Sequence, residues 1–155
     1  MKKIFLLVSI VLIYGCGYSA LYVSGKDDLF LNLKDIKGDF ELNNYIKNDL
    51  KIASDENSLN IFDINVETKY EKIVLTKDAK GEATDYKLDF SVKFTIISEN
   101  KTVFYKESFK IKKDNEKFNQ SKYEREIKRN FSEIVKNKLI LYLNNLDDNK
   151  KFKNK

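Results

Sequence analysis

Residues 86–96 read YKLDFSVKFTI, and this stretch decides the fold. Its even-numbered positions carry Tyr, Leu, Phe, Val, Phe and Ile, whereas its odd-numbered positions carry Lys, Asp, Ser, Lys and Thr. This strict alternation predicts a β-strand that packs one face in a core. The other face is expected to be wet or to contact something polar.

Two further strands flank this one, and short turns separate them. Residues 77–81 (KDAKG) have the composition of a turn, and residues 98–101 (SENK) make a short hairpin turn. The preceding strand ends near Thr76, whereas the following strand reaches Ile111 although Glu107 breaks its pattern. The three strands form a meander. The apolar residues that set the two flanking patterns are Phe62, Ile64, Val66, Tyr70 and Val74, and Val103, Tyr105, Phe109 and Ile111.

A strand and a helix precede the meander. Alternate leucines at 29, 31 and 33 predict the first strand. Asp39 is placed to cap a helix over about residues 40–53, because the apolar residues that follow it recur mostly on one helical face. The polar residues 54–58 close this helix.

A second helix follows the meander. Ser121 and Glu124 have the Ser-x-x-Glu form of a capping box, which predicts that the helix begins there, after a polar loop over residues 112–120. An apolar stripe extends to about Leu146 and is expected to pack on the sheet. Residues 147–155 are expected to form a disordered polar tail.

The predicted order is therefore β-α-β-β-β-α. Each helix has one apolar stripe and the strands share one apolar face, so the economical solution is an α+β two-layer sandwich. About four strands would pack against two helices, in a single domain over residues 29–146.

The first 28 residues have a different character. Lys2 and Lys3 precede the apolar residues 4–14, and Gly15 stands before Cys16, the only cysteine. This pattern is typical of a signal peptide over residues 1–15, since a membrane span needs about 20 apolar residues. The sequence before Cys16 resembles the bacterial lipobox, which predicts that Cys16 is lipidated and becomes the mature N-terminus. The alternative is an uncleaved leader with a bystander cysteine.

Residues 16–28 then form a lipidated N-terminus and tether. Acylation at Cys16 explains an otherwise unpaired thiol in an exported protein. Gly17 stands where an aspartate retains enterobacterial lipoproteins in the inner membrane. We therefore expect a lipid-anchored protein of the cell outer membrane.

Composition excludes several function classes. The chain has no His, so the common zinc ligand sets and the Ser-His and Cys-His pairs of nucleophilic catalysis are absent. We expect no enzyme activity, no metal site and no cofactor; a hydrolase that uses Asp85, Asp89 and Glu107 is the formal alternative. Cleavage after residue 15 leaves 27 basic and 24 acidic residues, a mixed surface that does not suit nucleic acid.

The whole layout resembles the LPS-assembly lipoprotein family (LptE, also called RlpB). Residues 16–18 (CGY), with LY at 21–22, resemble its mature N-terminus. Residues 44–50 (NYIKNDL) resemble its first-helix segment, and residues 81–88 (GEATDYKL) its entry to the central strand. The resemblance spans essentially all of residues 16–146.

This resemblance implies a function without catalysis. Members of the family plug and support the outer-membrane β-barrel LptD and help to deliver lipopolysaccharide. The protein would face the periplasm or lie inside the barrel lumen. The resemblance also implies lipopolysaccharide contacts from basic residues near strand and loop ends, here Lys77, Lys80, Lys117 and Lys122, which could equally be ordinary solvated lysines.

A different envelope role is also open. The protein could be an auxiliary or ligand-binding lipoprotein of another envelope lipid transporter, with the same anchor and a similar domain. An apolar pocket between sheet and helices would favour this function, whereas a solid core with a polar outer sheet face would favour the barrel plug.

Overall fold

The computed structural model describes residues 29–153, and their side chains as far as Leu146. Four strands and two helices follow one another in the order β-α-β-β-β-α, so the predicted α+β class is confirmed. A short 3-10 turn, Ile97–Glu99, joins the last two strands. The elements are β1 (Phe30–Lys37), α1 (Phe40–Ala53), β2 (Ile61–Lys77), β3 (Ala83–Ile96), β4 (Lys101–Lys112) and α2 (Lys117–Lys153).

The four strands form one mixed sheet in the order β1-β2-β3-β4. β1 runs parallel to β2, with α1 as the crossover, whereas β2, β3 and β4 are antiparallel neighbours. Register places Val66 beside Phe94 and Phe94 beside Val103. The predicted meander is therefore the central and distal part of the sheet, and β1 forms the other edge.

The chain turns from β1 into α1 within two residues. Gly38 has a φ of 116°, and a Cβ atom there would lie 1.9 Å from the carbonyl oxygen of Thr68, so only glycine fits. Asp39 then caps α1 by accepting a hydrogen bond of 2.9 Å from the Leu42 N–H. The predicted cap and the predicted span of this helix are both confirmed.

The core lies between the sheet and both helices. All five apolar residues from Leu88 to Ile96 on one side of β3 are fully buried, as the alternation predicted. The Phe90 ring lies at the centre, with ring centroids of Tyr70, Phe131 and Phe109 at 5.1, 5.4 and 5.7 Å. Residues such as Leu42, Ile46 and Leu139 fill the space from the helix side.

The predicted start and end of the second helix are wrong. α2 begins at Lys117, four residues before Ser121, and the side chain of Asp114 accepts the Glu116 N–H at 2.9 Å just ahead of it. Glu124 does not close a capping box, because its carboxylate binds Lys72 and Tyr70 on β2 instead. The helix also continues beyond Leu146 to Lys153, through most of the tail that was predicted to be disordered.

Within residues 29–153, neither helix combines the length and apolar character needed to cross a membrane.

Candidate partner and lipid interface

One face of the sheet is polar, and within residues 29–153 no helix covers it. We call it the polar sheet face; it consists of the side chains of β2, β3 and β4 that point away from α1 and α2. It is the wet face that the odd-numbered residues of β3 predicted. Its members include Glu67, Lys69, Glu71, Lys87, Asp89, Ser91, Lys93, Phe104, Lys106, Ser108 and Lys110.

Most charges on the polar sheet face are paired with one another. Lys93 binds Glu67 across the β2–β3 pair at 2.9 Å. Asp89 accepts hydrogen bonds from Lys87 at 2.8 Å and from the Ser108 hydroxyl at 2.6 Å. These contacts lower the pKa of Asp89, chiefly through the Lys87 bond, so the carboxylate stays ionised. The face is therefore hydrophilic, with a small excess of positive charge from Lys106 and Lys110.

Phe104 is an exposed apolar side chain on this face. Its side chain lies 60% exposed on β4, beside a shallow depression of about 320 Å³. Lys69, Asp89 and Lys106 are among the residues around it. An aromatic ring beside a polar depression is the kind of group that a partner protein buries. Phe104 was not predicted as a site residue. The signal is visible in the sequence, because Phe104 is an apolar residue at an even-numbered position of β4, whereas the core-facing positions of this strand are odd-numbered.

A second candidate surface lies at one end of the molecule. We call it the hairpin end. It comprises residues 73–82 of the β2–β3 hairpin and residues 113–123, which include the first turns of α2. The two parts are joined, because the Lys113 N–H donates to the Thr84 carbonyl at 2.8 Å and its Nζ binds Glu82 at 2.9 Å. Asp78 shapes the turn by accepting the N–H groups of Lys80 and Glu82.

The structure brings the four candidate lysines to this one end. Lys77 and Lys80 lie on the hairpin, and Lys117 and Lys122 lie on the first turns of α2. All four are exposed, and no ion pair within the described residues involves them. Their charges are therefore free to bind an anionic group. The geometry gathers the predicted residues but shows no cradle that is specific for one ligand.

Exposed apolar side chains accompany these lysines. Ile73, Val74 and Leu75 are each about two-fifths exposed, and Phe118 and Tyr123 are more than half exposed. Val74 was predicted to continue the core pattern of β2, but the hairpin extends past the helical layer and the side chain is not buried. Basic and apolar groups together suit an amphiphilic ligand or a partner.

A hydrogen-bond network fixes strand β2 of the hairpin to helix α2. Glu124 binds Lys72, and it accepts hydrogen bonds from Tyr70 at 3.1 Å and Gln120 at 2.8 Å. Burial alone would raise the pKa of Glu124, but the bonds from Lys72 and Gln120 and the charge of Lys72 hold it below its usual value. Burial and the neighbouring Glu124 charge raise the pKa of Tyr70, so its hydroxyl stays a donor.

The network continues into α1 through a buried lysine. Lys128 is 8% exposed, and its Nζ contacts Glu41 at 2.9 Å, Asp39 at 3.3 Å and the Tyr70 ring at 4.1 Å from its centroid. Two carboxylates and a ring face compensate for the cost of burying the charge. This cluster ties both helices to β2.

The three carboxylates of the hydrolase alternative do not share a site. Asp89 lies on the polar sheet face, whereas Glu107 points to the helices and binds Lys138 at 3.3 Å. Asp85 bonds to the hydroxyls of Thr76 and Thr84 near the hairpin end. The Thr76 bond lowers the pKa of Asp85, which is the opposite of what a general acid needs.

Cys16, the predicted lipidation site, lies outside the described residues. The same holds for the predicted signal peptide and for the tether over residues 16–28.

Solved structures of bacterial lipoproteins have a similar fold. Rare lipoprotein B from Shewanella oneidensis matches with a TM-score of 0.56 at 12% identity, over 79% of this chain and 98% of that one. A protein of Caulobacter crescentus CB15 described as a lipoprotein matches with a TM-score of 0.52 at 12% identity, over 82% and 95% of the two chains. No protein-family model and no curated sequence matches this chain. The likeness establishes a shared fold, and it agrees with the resemblance to the family of rare lipoprotein B.

Proposed function

We propose that this protein is an outer-membrane lipoprotein that plugs and supports an LptD-type β-barrel in the transport and assembly of lipopolysaccharide. The observation that carries the proposal is the polar sheet face, a surface of three strands that no described residue covers, opposite a fully packed core. Lipidated Cys16 would hold the protein at the membrane while the domain occupies the barrel.

The polar sheet face suits the interior of an outer-membrane barrel. The interior of a large outer-membrane barrel is polar, so a plug needs hydrophilic groups toward the barrel wall. Pairs such as Lys93–Glu67 satisfy their own charges, so burying them against a polar wall leaves little uncompensated charge. Phe104 supplies an apolar anchor within that contact.

As part of the same proposal, the hairpin end would bind lipopolysaccharide. Lys77, Lys80, Lys117 and Lys122 offer ammonium groups that have no ion-pair partner among the described residues, and charge-assisted hydrogen bonds to lipid phosphates are strong. Exposed apolar residues of the hairpin would lie against acyl chains. Replacing the four lysines with glutamine should then reduce lipopolysaccharide binding and leave barrel binding intact.

The core favours a plug over a carrier that holds a ligand inside. The space between sheet and helices is filled by packed side chains, with ring contacts around Phe90. A groove of about 500 Å³ in the described part lies at an edge of the sheet and not between its layers. We propose no catalytic activity for the protein.

Copurification tests the barrel contact. A tagged, lipidated protein extracted mildly from outer membranes should recover a large barrel protein in roughly equal amount. Phe104→Glu should reduce that recovery, because it places a charge at the anchor position of the polar sheet face. Leu141→Glu is the matched control, since Leu141 is equally exposed but lies on α2. Recovery of no barrel by the wild-type protein would refute the proposal.

A further inference from the structure

A groove follows the outer edge of β1, beside α1. Its volume is about 500 Å³. Phe30 and Leu31 both line it, although consecutive residues of a strand point to opposite faces of the sheet. Residues of both faces can line one groove only where it follows the backbone edge of the strand. The groove is thus a feature of the strand edge and not of the core.

The backbone at this edge is partly paired already. The Leu29 carbonyl accepts the Asp55 N–H at 3.0 Å, and the Leu31 N–H donates to the Ser54 hydroxyl at 2.9 Å. These are the first two rungs that an added strand would make. The next outward-pointing groups are the Leu31 carbonyl and the Leu33 N–H, because the N–H and the carbonyl of every second residue of a strand point to the same side. Among the described residues, nothing pairs with β1 on this side beyond Leu31.

The wall of the groove is apolar at the bottom and basic at the rim. Leu33 and Leu50 form part of the floor. Lys47 and Lys51 are one helical turn apart on α1, line the groove, and make no ion pair within the described residues. The other rim lysine, Lys34, is engaged by Asp63 at 3.3 Å, and the rim residue Asp35 is bound to Lys37 at 2.9 Å. Glu56, at one end, is the remaining acid.

We propose that an extended segment of a partner protein, with both apolar and acidic residues on the side that faces α1, binds in this groove and adds a strand to β1. Main-chain hydrogen bonds would continue the ladder that Ser54 and Asp55 begin, which is the recognition mode of domains that bind peptides at a sheet edge. Apolar side chains would cover Leu33 and Leu50, and carboxylates would reach Lys47 and Lys51. The proposal goes beyond the barrel-plug function and does not depend on it.

NMR titration with a defined peptide tests this site. The probe is a capped peptide of two Val-Thr-Glu-Thr repeats, which places Val and Glu on the same face of the strand. It is added to isotope-labelled mature protein. Amide shifts should be confined to residues 31–36 and 47–51, and the Leu33 N–H should become protected from hydrogen exchange. A capped peptide of two Val-Thr-Lys-Thr repeats should bind at least about tenfold more weakly, because it places like charges at the rim.

Matched variants distinguish the contribution of the main-chain hydrogen bonds at the edge of β1 from the contribution of the lysine charges. Leu33→Pro removes the donor and should abolish binding, whereas Leu33→Ala keeps the N–H and should retain most of it. Lys47→Glu with Lys51→Glu should weaken binding about tenfold. The same change at Lys106 and Lys110, on the opposite sheet edge, should have no effect. Thermal melts confirm that each variant is folded.

Three results would overturn the proposal. The first is the absence of shifts at millimolar peptide, or shifts that fall on β4. The second is equal binding by Leu33→Pro and Leu33→Ala, which would show that no main-chain ladder forms. The third comes from a parallel titration with myristoyl-lysophosphatidylglycerol. If that lipid shifts the groove residues and the peptide does not, the groove is a lipid site.

Discussion

At the scale of single residues, a few side chains connect separate elements. Glu124 is the clearest case, because it receives bonds from Lys72 and Tyr70 on β2 and from Gln120 on its own helix. Lys128 makes the corresponding link from α2 to the N-terminus of α1. These contacts set the position of the hairpin end, where the candidate lysines lie.

Replacing Glu124 should change how stability depends on pH. The folded-state pKa of Glu124 is lowered, so its contribution is complete above the unfolded-state pKa and is lost as pH falls through the folded value. Glu124→Gln should cost about 1 kcal/mol at pH 7, because it breaks a partly buried ion pair. This loss of unfolding free energy should become smaller toward pH 3, because the wild-type carboxylate is then increasingly protonated.

Urea unfolding from pH 7 to pH 3 measures this difference. Glu126→Gln, on the exposed side of the same helix, is the control and should unfold like the wild type. An equal loss of stability by Glu124→Gln at both ends of the pH range would show that the carboxylate charge is not involved.

At the scale of elements, sequence reasoning succeeded where the signal was local. The alternation in β3 and the Asp39 cap of α1 depend on neighbouring residues, and both are confirmed. The Ser121 cap failed because Glu124 binds residues of β2 that lie far away in sequence. The exposed Val74 was missed for a related reason, since the pattern of β2 does not reveal where the helical layer ends.

For the candidate site, too, the sequence predicted local features and not contacts between residues that are far apart in sequence. The turn lysines Lys77 and Lys80 were placed correctly on the hairpin, because a turn is local. Their proximity to the start of α2 depends on the bonds that Lys113 makes to Thr84 and Glu82, which no sequence pattern indicates. The groove beside β1 was not predicted, because it depends on strand order and on the parallel pairing of β1 with β2.

The link between β1 and α1 gives a test at this scale. Gly38→Ala should destabilise the fold by about 3 kcal/mol or more, because the Cβ would overlap the Thr68 backbone at a φ of 116°. Gly81→Ala is the matched control: its φ is 83°, but no atom lies within 4 Å of the added Cβ. We expect about 1 kcal/mol there. Chemical denaturation compares the two, and equal losses would contradict the steric account.

At the scale of the whole molecule, the proposed function combines a lipid anchor at Cys16 with a domain that has one polar sheet face. The anchor and the domain should be separable, because the fold has its own packed core between sheet and helices. In the proposed function, the polar sheet face would lie against a barrel wall and the hairpin end against an anionic lipid.

Replacing Cys16 with serine separates the anchor from the domain. The variant should lose lipidation and be released from the membrane, yet its thermal unfolding should match that of the mature wild-type domain. Metabolic labelling with a radioactive fatty acid measures the first effect, and circular dichroism the second. Failure of the label to mark the wild-type protein would refute the anchor.

The central claim is that the polar sheet face lies against an outer-membrane barrel. A photocrosslinking amino acid placed at Ser91 or Phe104 in living cells tests it most directly, with the buried position Phe90 as background. If the face lies against the barrel, Ser91 and Phe104 should give adducts of a single large barrel protein, and Phe90 should give none. Barrel adducts from Ile134 and Leu141 on α2, with none from Ser91 and Phe104, would contradict it.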